Sequence, residues 1–299
     1  MEEAVLCEIK GNSLDDGPGI RTVVFFKGCP LACVWCHNPE SQSRRAQLSF
    51  DKTKCVDIGE CVKACPEDAL DKHNPLFVDY DKCTSCFKCT EVCASEALSI
   101  IGDNYTVDQV LATVDRYQVF YETSGGGVTL SGGEFTLYPT FCEQLLRKLK
   151  ERKIHCLVET SGYFSMAHFE QKILPYIDQI YMDIKLFDEQ AHIKHCGKSN
   201  KQILENFGQL HQRYLEGGGP ILPRIPLIPG ITATDKNLAA IATFLKQQNV
   251  TELTVLPYNP MWSSKANKIG SEIIYSNEKW MTAAEVEHCR SFFKDFRLV

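Results

Sequence analysis

Short runs of β-branched and aromatic residues recur along this chain, at 21–26, 128–131, 156–160, 179–184, 221–228 and 252–257. Between them the apolar residues fall three and four apart. The helical spacing is clear in Phe141, Leu145, Leu146 and Leu149, and again in Leu238, Ile241, Ala242 and Leu245. Thr234 and Asp235 supply an N-cap and an acidic first turn for the second of these helices. Short strands alternating with longer helices predict an α/β fold with a parallel sheet. Six strands fit an open, partial (β/α)6 TIM-like barrel better than a closed eight-stranded one. Functional groups are then expected at the C-terminal ends of the strands. The alternation breaks over residues 51–101, which predicts an insert there and a barrel built from 1–50 and 102–299. Within the insert, 75–79 reads as a short strand.

Composition narrows the function classes. At 299 residues the chain can bury a full-size core, and a hydrophobic content of 44% is that of an ordinary soluble protein. A net charge of −6 gives no reason to expect nucleic-acid binding. The N-terminus lacks a basic stretch followed by an apolar run, and no apolar run reaches the ~18 residues of a membrane span. Fifteen cysteines in such a chain read as metal or redox sites and not as disulfides. The expected setting is a reducing, oxygen-poor cytoplasm, and the expected state is a monomer.

The cysteines fall into three groups. Cys29, Cys33 and Cys36 follow the first strand with C-x3-C-x2-C spacing. An iron–sulfur cube normally takes four thiolates, so a compact run of three suggests a [4Fe–4S] cluster with one iron left open. With His37 the same three cysteines also match a Cys3His zinc site. Cys83, Cys86, Cys89 and Cys93 form the C-x2-C-x2-C-x3-C run of a bacterial ferredoxin half-site. Cys55, Cys61 and Cys65 would repeat it, were position 58 not Ile58. In two-cluster ferredoxins the last cysteine of each run ligates the other run's cluster. That pattern assigns Cys65, Cys83, Cys86 and Cys89 to one complete cluster. It assigns Cys55, Cys61 and Cys93 to another, with one thiolate missing. The missing ligand is Asp57, another side chain or water, or an iron is absent to give [3Fe–4S]. Cys7, Cys142, Cys156, Cys196 and Cys289 are isolated, and no function is assigned to them.

The C-x3-C-x2-C run resembles that of the radical S-adenosylmethionine (SAM) enzymes, in which the open iron chelates the methionine end of SAM. Ser131-Gly132-Gly133-Glu134 follows the second strand and is similar to the family's Gly-Gly-Glu stretch, with Phe135 where proline is usual. The resemblance implies that Gly132, Gly133 and Glu134 bind SAM's amino group and that Trp35 lies near its adenine. Asp16-Gly17-Pro18-Gly19-Ile20-Arg21, His37-Asn38-Pro39-Glu40, Ser124-Gly125-Gly126-Gly127, 224–230 and Leu256-Pro257-Tyr258 narrow the likeness. Together they resemble the activating enzymes of glycyl radical enzymes, in the subgroup with a two-cluster insert.

That likeness implies an oxidoreductase. A flavodoxin or ferredoxin supplies one electron, SAM is cleaved, and a hydrogen leaves a glycine Cα of a partner glycyl radical enzyme. It further implies that Lys185 and Arg224 contact SAM's carboxylate. Asp183, with Glu159 and Thr160, would bind a monovalent cation. Asn259 stands where these activases often have histidine, and no role transfers to it. The alternative is a radical SAM enzyme acting on a small molecule or maturing another protein.

Overall fold

The computed structural model describes residues 2–299. Eleven strands are present among them: β1 Glu3–Ser13, β2 Arg21–Phe26, β3 Gln47–Phe50, β4 Leu98–Ile101, β5 Asp103–Thr106, β6 Gly127–Gly132, β7 His155–Thr160, β8 Gln179–Asp183, β9 Ile221–Leu227, β10 Glu252–Pro257 and β11 Arg297–Leu298. Strands β2, β6, β7, β8, β9 and β10 lie side by side in that order, all parallel. These are the six strands the sequence predicts, each within two residues of its expected ends. β10 pairs outward with β11, and β2 with β1, so the sheet stays open.

The parallel strands are buried because helices cover the sheet. In the helix Pro139–Glu151, Phe141, Cys142, Leu145, Leu146 and Leu149 are buried. The helix Asp235–Gln247 is capped by the Thr234 side chain, which accepts from the Asn237 N–H at 3.3 Å. Arg21, although charged, is fully buried. Its Nε donates to Thr129 Oγ1 at 2.6 Å, Nη2 to the Val128 carbonyl at 2.7 Å and Nη1 to the Pro18 carbonyl at 3.1 Å. That arginine ties the segment before β2 onto β6.

Two antiparallel strands at the sheet's edge were not expected: β1 pairs with β2, and β5 pairs with β1. The chain enters and leaves the cysteine-rich segment through β3 and β4, which pair with each other. Between them lie a single 3-10 turn, Lys52–Lys54, and two short α-helices, Glu60–Ala64 and Lys88–Glu91. A small separate core is formed by Leu48, Phe50, Leu70, Phe77, Val78, Cys89, Ala97 and Leu98. The strand expected at 75–79 does not form. Phe77 adopts a left-handed φ of 65°, which ends any extended run, and its ring stacks on Phe50 at 4.3 Å. Val78 makes only an isolated bridge with Leu70. No helix among the described residues is long and apolar enough to cross a membrane.

Candidate active site

The loop after β2 carries Cys29, Cys33 and Cys36, and backbone hydrogen bonds fix it on both sides. Gly28 N donates to Ser41 O at 2.7 Å and Cys29 N to Gln42 O at 3.0 Å. Ala32 N donates to Cys196 O at 2.8 Å and Val34 N to His195 O at 3.0 Å, so the loop is zipped onto the end of the helix Glu189–Cys196. Glu134 N donates to Gly28 O at 2.7 Å. A Cβ on Gly133 would overlap that same carbonyl oxygen, which is why the turn after β6 needs glycine there.

The three cysteines open into one cavity of about 240 Å3, continuous with solvent, at the C-terminal ends of β6 to β10. Trp35, Gly132, Gly133, Asp183, Lys185 and Arg224 line it, as the sequence led one to expect. Ser131, Glu159, Thr160 and Ser161 line it as well. Ser131 and Ser161 were not singled out, although both lie where a parallel strand ends, which was the available clue.

Opposite charges alternate across the floor. Arg224 Nε donates to Asp183 Oδ1 at 2.9 Å, and its Nη1 pairs with Glu159. Lys185 Nζ lies 2.7 Å from Asp183 Oδ2, and Ser131 Oγ donates to Glu159 Oε2 at 2.6 Å. Burial works against the Asp183 carboxylate, but Lys185 and Arg224 outweigh it and hold its pKa down at about 2. Burial likewise works against both cations, and the neighbouring carboxylates outweigh it, raising Lys185 and Arg224 above their ordinary values. Two carboxylates and two cations make the array neutral.

Glu134 does not line the cavity. Its carboxylate is fully buried beneath it and accepts from Thr160 Oγ1 at 2.9 Å, Ser161 N at 2.9 Å, Ser161 Oγ at 2.6 Å and Thr136 Oγ1 at 3.0 Å. It braces the glycine turn against β7 and leaves no lone pair facing a ligand. Burial raises its pKa, and these donors only partly offset that. Glu159 and Asp183, expected at a cation site, are both already paired with Arg224. A monovalent ion between them would have to displace the guanidinium.

Burial pushes the Cys36 thiol up to about 12 and raises Cys29 as well. Cys33 is raised by its neighbour Cys196 and by burial. Such thiols stay protonated until a cation takes up the thiolate charge, so metal loading releases protons.

In the insert the structure interleaves the two cysteine runs. Cys65 joins Cys83, Cys86 and Cys89 around one pocket, walled by Leu48 and Leu70. Cys93 crosses to join Cys55 and Cys61 around another. The Leu98 N–H donates to Cys93 Sγ at 3.3 Å, and the Ala69 N–H donates to Cys65 Sγ at 3.3 Å. Ile58 is 60% exposed at the rim of the second cavity and offers no ligand atom. Asp57, beside it, is paired with Lys72 at 2.6 Å.

Comparison with known proteins gives the family. The Radical SAM superfamily matches residues 82–242. A 4Fe-4S single cluster domain matches 15–68, and a 4Fe-4S dicluster domain matches 47–94. The chain is 43% identical over 261 residues to the trans-4-hydroxy-L-proline dehydratase activating enzyme of Clostridioides difficile, covering 86% of this chain and 85% of that protein. It is 36% identical over 297 residues to the indoleacetate decarboxylase activating enzyme of Tractidigestivibacter scatoligenes, covering 96% and 93%. A radical SAM methyltransferase from Sphaerobacter thermophilus shares the fold, with a TM-score of 0.54 and 12% identity over 98% of this chain and 76% of that one. The chain belongs to the radical SAM superfamily and, within it, to the activating enzymes of glycyl radical enzymes, which cleave SAM reductively and take a hydrogen from a glycine Cα of a partner enzyme.

Proposed function

We propose that Cys29, Cys33 and Cys36 hold the catalytic [4Fe–4S] cluster, and that the charged floor beside them seats SAM. The supporting observation is that three thiols and a neutral four-member charge array share one cavity at the strand ends. When bound, the cluster supplies the electron and the open iron on which SAM cleavage depends. The chain's own residues orient the cofactor. Arg224 and Lys185 present cationic groups suited to SAM's carboxylate, the guanidinium giving a directed pair. The Gly132–Gly133 backbone faces the position of the amino group, and Trp35 that of the adenine. Glu134 contributes by holding the glycine turn in place and not by direct contact. Because Asp183 and Glu159 already neutralise the two cations, the site accepts a zwitterionic amino acid end without gaining net charge.

The insert carries two auxiliary clusters on this reading. Cys65, Cys83, Cys86 and Cys89 supply a full set of thiolates. Cys55, Cys61 and Cys93 supply three, and the Asp57 and Glu60 carboxylates line the same cavity. The electron donor is a flavodoxin or ferredoxin. The activase meets only the partner's glycine segment, so nothing in this cavity reads the partner's own substrate.

The test is hydrogen transfer. Anaerobically reconstituted protein is incubated with SAM, reductant and a peptide that copies a partner's glycine segment, deuterated only at the glycine Cα. Deuterium in 5′-deoxyadenosine, found by mass spectrometry, is the expected result. Absence of both deuterium transfer and a glycyl radical signal with full-length partners would leave a small-molecule substrate as the better reading.

A further inference from the structure

One short helix, Trp262–Lys268, grips both the catalytic loop and the insert. At its C-terminal end the Lys268 carbonyl accepts from the Tyr80 hydroxyl at 2.6 Å, and Lys268 Nζ pairs with Asp51 at 2.8 Å. Gly270, at φ +64°, lies so close against the Tyr80 ring that a Cβ there would overlap it. Toward the other end, Lys265 Nζ donates to Asn38 Oδ1 at 2.9 Å, and the Trp262 indole N–H donates to the Tyr258 hydroxyl at 2.8 Å. Trp262, Tyr258 and Ala266 are buried in one apolar cluster with Trp35, and Cys33 packs against it. The Tyr258 ring lies 6.1 Å from that of His37, the neighbour of Cys36.

On the insert side, Tyr80 opens the turn that delivers Cys83, whose N–H donates to Asp79 O at 3.0 Å. Burial, and then the nearby Cys83 thiolate, raise the Tyr80 hydroxyl above its ordinary pKa. Packed and hydrogen-bonded atoms therefore run from the four-thiol insert site, through Tyr80 and the helix, to the loop of Cys33 and Cys36. The helix has seven residues. At ~1.5 Å per residue such a helix spans roughly 10 Å.

We infer that Tyr80, the helix Trp262–Lys268 and the Trp262–Tyr258 pair form the route by which an electron held at the four-thiol insert site reaches the catalytic loop. The inference rests on the reading that an iron–sulfur cluster occupies that insert site. Each event moves one electron. The insert cluster is oxidised by one unit, the catalytic cluster is reduced by one, and no bond or proton changes hands. A reduced one-electron carrier protein of the flavin or iron–sulfur class replenishes the insert. Tunnelling decays less steeply through bonded, hydrogen-bonded and packed atoms than across gaps. The aromatic side chains at both ends of the helix shorten the gaps that a small side chain would leave.

The test uses the full, reconstituted protein with SAM and a reduced ferredoxin as electron source. Iron content and EPR of the insert come first. Absence of a cluster on Cys65, Cys83, Cys86 and Cys89 overturns the auxiliary-cluster reading, and the route with it. With that cluster present, rapid freeze-quench EPR follows growth of the catalytic cluster's reduced signal, recognised by its change when SAM binds. Coupling, not spatial intermediacy, is the criterion, and Tyr80→Ala and Trp262→Leu should each slow that growth by about tenfold. Tyr80→Phe and Trp262→Phe keep the rings and should restore most of the rate. SAM affinity and dithionite-driven SAM cleavage should stay at the wild-type level in all four variants. Unchanged transfer in both ring-deleting variants overturns the route. So does a loss of SAM binding or catalytic-cluster iron in them, which would make the helix a structural brace alone.

Discussion

The barrel mouth and the insert both bring cysteines together around cavities, but they hold them by different means. At the mouth, the thiols sit on a loop fixed by hydrogen bonds to Ser41, Gln42, His195 and Cys196 above a large sheet. The order of that loop comes from the protein's own core. In the insert, strands of four residues and helices of five and four enclose a core of eight buried residues. Cys55, Cys61, Cys65, Cys83 and Cys93 themselves pack against that core. A segment this small rarely folds on apolar burial alone, and metal binding then becomes folding free energy. On the proposed reading, iron is a reagent at the mouth and part of the architecture in the insert.

The largest effects should separate the two regions. Cys33→Ala should abolish SAM cleavage, a loss of at least roughly 10^3-fold for a group that acts as part of a unit. Amide exchange over 51–97 should be unchanged. Cys89→Ala should do the reverse: exchange protection is lost across the insert, while dithionite still drives SAM cleavage. Hydrogen exchange by mass spectrometry, run beside the cleavage assay, reads both. An insert that stays protected in Cys89→Ala would break the comparison.

A second, smaller effect separates the two insert sites. Native protein should bind roughly 11 to 12 iron atoms, by cluster stoichiometry. The cluster on Cys55, Cys61 and Cys93 should be lost first in air, because Ile58 leaves its corner open at the surface. Ile58→Cys should lengthen the lifetime of that iron severalfold in an iron-release assay. Two equally robust auxiliary clusters in the native protein would contradict the three-thiol assignment.

The same contrast explains what could be read from the sequence. The six parallel strands were legible because each gathers β-branched and apolar residues into a short run between helical patterns, even where buried and half-buried positions alternate, as in β8 and β10. β1 was not, because it is an edge strand whose sequence, EAVLCEIKGNS, mixes buried and exposed positions with irregular register. The crossover of Cys65 and Cys93 followed from the likeness of the two runs to a two-cluster ferredoxin, and in the structure each lines the cavity of the other run. The strand at 75–79 was misread, because Phe77 turns left-handed to stack on Phe50, a tertiary contact that no local pattern announces. Glu134 was legible as part of the site but not in its orientation. Its direction depends on Thr160 and Ser161, which are distant in sequence and adjacent only across the sheet. Cys196 read as an isolated apolar residue, and the structure sets it against Cys33.

The smallest expected effect concerns pH and the stability of the barrel. Asp183 is depressed to about 2. A depressed carboxylate contributes stability above its unfolded pKa of ~3.9, and that stability is lost only as pH falls through the folded value. Lys185 is raised. Its contribution is complete below the unfolded lysine pKa of ~10.4 and is lost only as pH rises through the higher folded value. The charge array is therefore silent between roughly pH 5 and 9. Glu134 is the exception, since burial raises its pKa. The folded state then holds a proton that the unfolded state has released, so stability falls as pH rises from ~4.3 through the raised value. Half-buried His155 and buried His192 and His211 are shifted down and act in the opposite sense over a nearby range, so a single curve would mix the two. Glu134→Gln isolates the carboxylate. The difference in urea midpoint between wild type and this variant, by far-UV circular dichroism, should drift in the variant's favour as pH rises above ~4.3. Each unit by which the pKa is raised contributes about 1.4 kcal/mol at most. A difference that stays constant with pH would mean that the four donors around Glu134 fully offset its burial, and that the glycine turn is held without electrostatic cost.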